Sequence, residues 1–275
     1  MPGKVYFIGA GPGDLELLTV KGQRIIQEAD LVIFTDSLVN PEVASLAKPR
    51  AQVERSAGMV LEDMIALMVT AANQGKTIAR VHTGDPSIFG AVLEQAVALR
   101  KAGVDYEIVP GVSSMFAAAA MLGAELTVPD LAQTVIVTRM EGRTPVPDGE
   151  KLRDLAAHQA TLVLFLSITL LGNVVRELQA GGYSKDTPIA VVYKATWPDQ
   201  VVVSGTLEDI AEKVREARIN SQSIIIVGKV LHPSVIEGEE DYRSKLYDEN
   251  FTHSYRKGRE PLTKRANARA RATKE

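Results

Sequence analysis

Apolar and polar positions along the chain fall into two alternating patterns. Short apolar runs are separated by segments whose apolar residues recur at helical spacing, which is typical of strands joined by crossover helices and predicts an α/β fold. The predicted strands of the first half are residues 5–8, 31–34, 77–81 and 106–109, and those of the second half are residues 135–137, 162–166, 189–193, 201–203 and 224–227.

Three of the intervening segments carry one apolar stripe each, which predicts amphipathic helices with one buried face. These stripes are Leu61, Met64, Ile65, Met68 and Ala72; Ile88, Val92, Ala96 and Leu99; and Leu170, Leu171, Val174, Val175 and Leu178. The run 201–203 follows the run 189–193 after a Trp-Pro-Asp turn. This short connection predicts a hairpin, and therefore a mixed sheet, in the second half.

The chain has 275 residues, which is enough for two domains because domains average roughly 100–200 residues. The strand pattern restarts after an alanine-rich segment, so we expect one α/β domain over residues 1–116 and a second, with the mixed sheet, over residues 117–235. Residues 236–275 form a charged tail. From residue 256 it is strongly basic and almost free of large apolar groups, so we predict that it is disordered. The alternative is a weak contact of this tail with nucleic acid or another partner.

Composition excludes several kinds of partner and site. A net charge of -3 provides no overall positive field, so we expect no nucleic acid as the main partner. The chain has no cysteine and four scattered histidines, so disulfides and thiolate chemistry are excluded and no metal site is expected. The N-terminal apolar run is too short for a secretory signal, and no apolar stretch approaches about 18 residues. We therefore expect a soluble, cytoplasmic protein that does not enter a membrane.

The loop "GAGPGD" (9–14) follows the first predicted strand. Glycines in this place are typical of a dinucleotide-binding fingerprint, and Asp36 lies where a ribose-binding acid would be expected. However, Asp14 replaces the third glycine and would repel a pyrophosphate, and Pro12 has no N–H to offer an anion. The structural alternative is a tight turn with Asp14 near the start of a helix.

Two more loops follow strands of the same predicted sheet, "HTGDPSIFG" (82–90) and "VPGVSS" (109–114). Each has an ordinary structural interpretation: Asp85 before a proline fits a helix N-cap, and Ser113 or Ser114 could cap the next helix. The carboxyl ends of parallel strands are the usual ligand edge of an α/β sheet. Three polar, glycine-bearing loops at one edge therefore predict a binding site.

With these loops the chain resembles the tetrapyrrole methylase family, whose members transfer a methyl group from S-adenosyl-L-methionine to ring carbons of corrin and porphyrin precursors. "GAGPGD", "TGDPSIFG" and "VPGVSS" occur in the family's order, and the resemblance covers about residues 4–234. A narrower resemblance is to its precorrin-4 C-11 branch, which includes enzymes whose substrate carries cobalt. It rests on "DSLVNPE" (36–42), "VHTGDPSIFGAVLEQ" (81–95), "LTVPDLAQTVIVTRMEGRTPVP" (126–147) and "VVYKATWPDQ" (191–200).

The resemblance implies two α/β domains of the tetrapyrrole methylase type, with the methyl donor in the cleft between them. S-adenosylmethionine has no phosphate, so Asp14 and Pro12 cease to be anomalies. The positions that the family uses for the donor fall on Pro12, Thr83, Gly84, Asp85, Ile88, Ser113, Ser114, Leu166 and Ala195. Other branches of the family often have glycine at residue 83, which puts the contact of Thr83 in doubt. Leu166 and Ala195 replace residues such as methionine and glycine, which matters less if these contacts are apolar or made by the backbone.

The implied substrate is an acidic tetrapyrrole, precorrin-4 or its cobalt form, and the family is usually homodimeric. Arg139, Arg143 and Lys194 are candidates for binding the carboxylates, since arginine donates two aligned hydrogen bonds; solvent-facing charges are the alternative. Asp36 and His82 are candidates for handling a ring proton.

Other interpretations remain open. Trp197 could line the macrocycle or belong to the core. The alternative functions are another tetrapyrrole C-methyltransferase, acting on precorrin-2, precorrin-3 or uroporphyrinogen III, and an NAD(P)-binding oxidoreductase built on the first domain.

Overall fold

The computed structural model describes residues 3–239, 242 and 244–259, which contain two five-stranded sheets. The strands of the first sheet are β1 (Lys4–Gly9), β2 (Leu31–Phe34), β3 (Gln52–Arg55), β4 (Ile78–His82) and β5 (Asp105–Val109). They lie in the order β3-β2-β4-β1-β5, and every pairing is parallel. Their carboxyl ends therefore meet at one edge, as the sequence predicted.

Helices cover both faces of the first sheet. They are α1 (Val20–Glu28), α2 (Leu61–Asn73) and α3 (Val92–Lys101). On one face, Phe7 belongs to a buried cluster with Met68 of α2 and Leu99 of α3. On the other face, Ile8 belongs to a cluster with Ile26 of α1. Because neighbouring residues of β1 enter different cores, the strand is apolar on both sides.

The second sheet is mixed. Its strands are β6 (Val135–Arg139), β7 (Thr161–Phe165), β8 (Pro188–Tyr193), β9 (Val201–Thr206) and β10 (Ser223–Val227), in the order β6-β7-β10-β8-β9. Strands β6 and β7 pair in parallel, whereas the other pairings are antiparallel. Strands β8 and β9 form the predicted hairpin, and the mixed sheet is confirmed.

The helices beside the second sheet are α4 (Ser114–Met121), α5 (Leu152–Ala156), α6 (Leu171–Ala180), α7 (Ile210–Glu216) and α8 (Pro233–Ile236). Residues of α5, α6 and α7 share one core with the sheet. Helix α4 follows β5 in the chain, yet its Ala118 belongs to the core on the opposite face of the second sheet, with Val163 and Ile226. The small side chains of α4 allow this helix to lie close to the strands.

Two elements differ from the sequence predictions. Strand β3 was not predicted, because it lies at the sheet edge and leaves most of its side chains exposed. Helix α3 begins at Val92 rather than at Ile88. Phe89 and Ala91 have φ values of 53° and 49°, and this left-handed backbone ends any helix that would start at Ile88.

The C-terminal region continues after α8 with a short 3-10 helix at Lys245–Tyr247. Most of the tail that the sequence predicts to be disordered, residues 260–275, lies outside the described residues. Within residues 3–239, 242 and 244–259, no helix has the length and apolar content needed to cross a bilayer.

Candidate active site

The three predicted loops pack against one another through glycine backbones at the carboxyl edge of the first sheet. A Cβ atom on Gly9 would overlap the backbone of Gly84 and Gly111, and one on Gly111 would overlap the other two. These contacts explain the glycines at the ends of β1 and β5 without a phosphate ligand.

The amide groups of the first two loops are used within the protein. The Gly11 N–H donates to the Gly84 carbonyl at 3.2 Å, and the Gly84 N–H donates to the Gly11 carbonyl at 2.8 Å. Both residues have positive φ, 77° and 59°, where a side chain would be strained. The Asp14 carboxylate accepts from the Glu16 N–H at the start of a 3-10 helix, Leu15–Leu17, so the structural interpretation of Asp14 is confirmed.

Asp85 joins the second loop to the third. Its Oδ2 atom accepts the Gly111 N–H at 2.8 Å, and its Oδ1 atom accepts the Ser87 N–H and hydroxyl. Burial alone would raise the pKa of Asp85, but these donors together hold it below its ordinary value. Because α3 begins only at Val92, Asp85 is not a cap of that helix. Its carboxylate instead links the second loop to the third through hydrogen bonds.

A cavity lies between these loops and the second sheet. It brings together all the residues predicted for the methyl donor and adds Phe89, Phe165 and Gln222. Its lining consists of Pro12, Leu38, Thr83, Gly84, Asp85, Ile88, Phe89, Ser113, Ser114, Phe165, Leu166, Ile168, Val192, Lys194, Ala195, Trp197, Gln222, Ser223 and Ile224. Most of this wall is apolar, with a few polar side chains, among them Asp85, Ser113 and Lys194. This distribution is typical of a small-molecule site.

Residues of the cavity wall make contacts between the two halves of the chain. The rings of Phe89 and Phe165 lie 5.5 Å apart, within the range of a favourable aromatic pair. Elsewhere the Gln222 side-chain amide donates to the Ser37 carbonyl at 2.6 Å. The cavity is therefore built from both halves of the chain.

Two of its lining residues have unusual environments. Leu166 has a φ of 53° and is 65% exposed, so its apolar side chain is available to a ligand. Ser113 is the N-cap residue of α4, but its side chain makes no capping hydrogen bond in the part of the chain that is described. Capping therefore does not account for this buried hydroxyl.

The substrate-binding candidates are placed differently from one another. Lys194 lines the cavity, and its Nζ atom lies 2.6 Å from Asp199. Arg139 does not line the cavity; its guanidinium donates to the carbonyls of Met140, Thr144 and Pro145. Arg139 thus holds its own loop together. Arg143 lies exposed in that loop, outside the cavity lining.

The two proton-handling candidates are also outside the cavity lining. Asp36 lies in the loop after β2, and its Oδ1 atom accepts the Ala57 N–H at 3.1 Å. His82 is only 5% exposed, and its ring lies 5.8 Å from the ring of Phe7 in the core. Burial and the neighbouring Arg80 lower the pKa of His82 to about 3. The prediction for His82 is corrected, because a neutral, buried imidazole with this pKa is a poor general base near neutral pH.

Phe89 and Gln222 line the cavity but were not predicted from the sequence. Phe89 was within reach, since it belongs to the quoted second loop. Gln222 had no local signal, because it precedes an ordinary buried strand and reaches the cavity only through the fold. Within the described residues, no group of three or more His, Asp or Glu side chains could hold a metal ion.

Comparison with known proteins shows the family of this chain. A family model for tetrapyrrole (corrin/porphyrin) methylases matches residues 4–211. Cobalt-precorrin-4 C(11)-methyltransferase of Priestia megaterium is 54% identical over 255 residues, which is 93% of this chain and 98% of that protein.

Two solved structures are similar as well. The X-ray structure of a cobalt precorrin-4 methyltransferase of cobalamin biosynthesis has a TM-score of 0.82 and 53% identity, covering 84% of this chain and 96% of that one. Uroporphyrin-III C-methyltransferase of Thermus thermophilus, complexed with S-adenosyl homocysteine, has a TM-score of 0.71 and 31% identity, covering 83% and 99%. This chain belongs to the tetrapyrrole methylase family.

Proposed function

We propose that this chain is a C-methyltransferase of corrin biosynthesis, which transfers a methyl group from S-adenosyl-L-methionine to C-11 of precorrin-4 or its cobalt form. One observation carries this proposal: a single cavity between the two sheets is lined by every residue predicted for the methyl donor. The 54% identity to a cobalt-precorrin-4 C(11)-methyltransferase over nearly the whole chain supports the choice of ring carbon.

The cavity fits a donor without phosphate groups. The amides of Gly11 and Gly84 are paired with each other, and Asp85, the carboxylate that lines the cavity within the described part of the chain, would repel a pyrophosphate. Both features disfavour a dinucleotide, and with it the oxidoreductase alternative. Apolar walls that include Ile88 and Leu166 suit the methyl and methylene groups on the sulfonium of the donor.

The donor supplies an electrophilic methyl group, and the protein residues orient the reactants. Asp85 and the loops hydrogen-bonded to it form one wall of the cavity, and residues of the second sheet form the other wall. Fixing two reactants in line can account for about 7–11 kcal/mol of a barrier in favourable cases. We assign the residues of this site to positioning, and no side chain of the cavity is required as a nucleophile.

The acidic ring would lie where the cavity opens between the sheets. Lys194 offers a positive charge in the cavity wall, although a substrate carboxylate would compete with Asp199 for it. Arg143 lies exposed in the loop that Arg139 holds in shape. We therefore assign carboxylate binding to Lys194 and Arg143 and a supporting role to Arg139. That Asp36 handles the ring proton stays a prediction.

The test is methylation of defined precursors by the purified protein. Precorrin-4 and cobalt-precorrin-4 are each supplied with S-adenosylmethionine, and the product is analysed by mass spectrometry and NMR. We expect one added methyl group, located at C-11. Methylation only of precorrin-2, precorrin-3 or uroporphyrinogen III would refute the assignment of the substrate. Binding of NAD(H) without binding of S-adenosylhomocysteine would refute the assignment to this class of enzyme.

Cytoplasmic location and a homodimer, both expected from the sequence and the family, stay predictions. Light scattering by the purified protein measures the second of these.

A further inference from the structure

The turn between β8 and β9 is hydrogen-bonded to the loop that follows β1 in the other sheet. The indole Nε1–H of Trp197 donates to the Pro12 carbonyl at 2.9 Å, and the Asp14 N–H donates to the Thr196 hydroxyl at 3.0 Å. We call residues 12–14 and 194–199 together the clamp. Pro12 and Trp197 both line the cavity, so the clamp is part of its wall as well as a contact between the sheets.

The indole ring of Trp197 occupies the space that a side chain at residue 13 would need. A Cβ atom at residue 13 would overlap the Cδ1 and Nε1 atoms of Trp197. The φ of Gly13 is not among the positive ones, so it is contact with the ring that requires a glycine here. The Gly13 carbonyl also accepts the Asn40 side-chain amide at 2.9 Å, which fixes the loop from its other side.

The turn that carries Trp197 is strained. Lys194 and Thr196 have φ values of 47° and 70°, and a positive φ is a clear outlier for a β-branched residue such as Thr196. Strain of this kind persists where surrounding contacts hold it and is concentrated at functional sites. Here the contacts include the Lys194 ammonium, which lies 5.2 Å from the Trp197 ring centre and is paired with Asp199.

We propose that Trp197 is a positioning residue for the methyl donor: it fixes Pro12 through the clamp and thereby sets the shape of the donor site. This inference rests on the proposed function and adds a residue that acts from the second sheet on a loop of the first. Trp197 is also the chain's only tryptophan. Its fluorescence therefore reports on the clamp alone and changes when the donor site is filled.

The experiment is a double-mutant cycle of Gly13→Ala and Trp197→Ala. Calorimetry measures the affinity for S-adenosylhomocysteine, and initial rates give the KM for each substrate. Gly172→Ala is the matched control, because a Cβ atom there meets open space. Trp197→Phe keeps an aromatic ring but removes the indole N–H that donates a hydrogen bond to the Pro12 carbonyl.

We expect Gly13→Ala and Trp197→Ala each to weaken S-adenosylhomocysteine binding by about tenfold, the scale of one lost hydrogen bond. The KM for S-adenosylmethionine rises more than the KM for the tetrapyrrole, which changes only as far as loss of the indole shifts the neighbouring Lys194. Trp197→Phe, which keeps a ring beside Lys194, raises the KM for S-adenosylmethionine alone. In the Trp197→Ala background, adding Gly13→Ala has little further effect because the overlap is gone. S-adenosylhomocysteine changes the fluorescence of the wild-type protein.

Equal effects of Gly13→Ala in both backgrounds would overturn the clamp, as would an unchanged donor affinity in Trp197→Ala. If Gly13→Ala alone does not fold, recovery of soluble protein in the double variant supports the clamp, and loss of both variants overturns it. A wild-type protein that binds no S-adenosylhomocysteine refutes the proposed function and this inference with it. Wild-type binding without coupling in the cycle refutes this inference alone.

Discussion

Acidification should destabilise the first sheet through a single buried histidine. His82 is 5% exposed, and its pKa is lowered from 6.5 to about 3, first by burial and then by the charge of Arg80. Arg80 lies two residues earlier on β4, so both side chains point to the same face of the sheet. Among the described residues its guanidinium donates to neutral groups, such as Gln95 and Thr35, and no carboxylate pairs with it there to offset its effect on His82.

The sign follows from the depressed pKa. Unfolded chains bind a proton at His82 below about pH 6.5, whereas the folded protein does not until about pH 3. Stability is therefore complete above pH 6.5 and is lost as the pH falls toward 3. Each pH unit in this window removes about 1.36 kcal/mol, so the free energy of unfolding should fall by about 2 kcal/mol between about pH 7 and pH 5.

Urea unfolding followed by far-UV circular dichroism measures this difference. About pH 5 lies above the ordinary pKa values of Asp and Glu, so carboxylates contribute little to the change. His82→Gln removes the titrating ring and should abolish most of the loss between the two pH values. The matched control is His158→Gln, at an exposed position, which should retain it. A wild-type stability that is equal at both pH values, or a His82→Gln variant that is as acid-sensitive as the wild type, would refute the reasoning.

Four further predictions concern the loops of the site. Asp85→Ala should weaken S-adenosylhomocysteine binding measured by calorimetry by about tenfold or more, because charge-assisted hydrogen bonds contribute about 1.5–3 kcal/mol; unchanged affinity would leave Asp85 a structural tie only. Gly111→Ala should lower the free energy of unfolding, measured by urea unfolding, by more than about 2 kcal/mol, since its Cβ atom would overlap the backbones of Gly9 and Gly84. Gly58→Ala is the control: its Cβ atom meets open space, so it should lower the free energy of unfolding by less than about 0.5 kcal/mol. Arg143→Ala should raise the KM for the tetrapyrrole in steady-state assays and leave that for the methyl donor unchanged, because the exposed guanidinium is free to meet a carboxylate; equal effects on both KM values would contradict a carboxylate role. Arg139→Ala should affect the same KM indirectly, by loosening the loop.

The strands and the ligand edge were predictable because they leave local patterns in the sequence. Continuous apolar runs mark strands covered on both faces, and glycine, proline and aspartate mark the loops that follow them. Strand β3 lacked such a pattern, since an edge strand with exposed side chains resembles a polar loop. The start of α3 was missed because the left-handed backbone at Phe89 and Ala91 occurs at residues that do not favour it.

The roles of individual charged residues were less predictable, because they depend on contacts made far along the chain or on the exact course of a loop. Arg139 and Arg143 look alike in the sequence, yet one guanidinium is bound to loop carbonyls and the other is exposed. His82 is the last residue of its strand, where a ligand-edge residue is expected, but its ring lies on the core side of β4, against Phe7. Neither outcome follows from residue type.

The first sheet's part of the cavity can be recognised from sequence motifs, whereas the second sheet's part cannot, and the reason is physical. The first sheet contributes loops whose backbones touch one another, and such contacts require glycines and a fixed carboxylate, so these loops form motifs. The second sheet contributes apolar side chains and a turn, and many residues can line an apolar wall. Its part of the site was therefore identified through family resemblance rather than through local chemistry. Trp197 is the exception, because Gly13 on the other sheet has no space for a side chain while the indole is present.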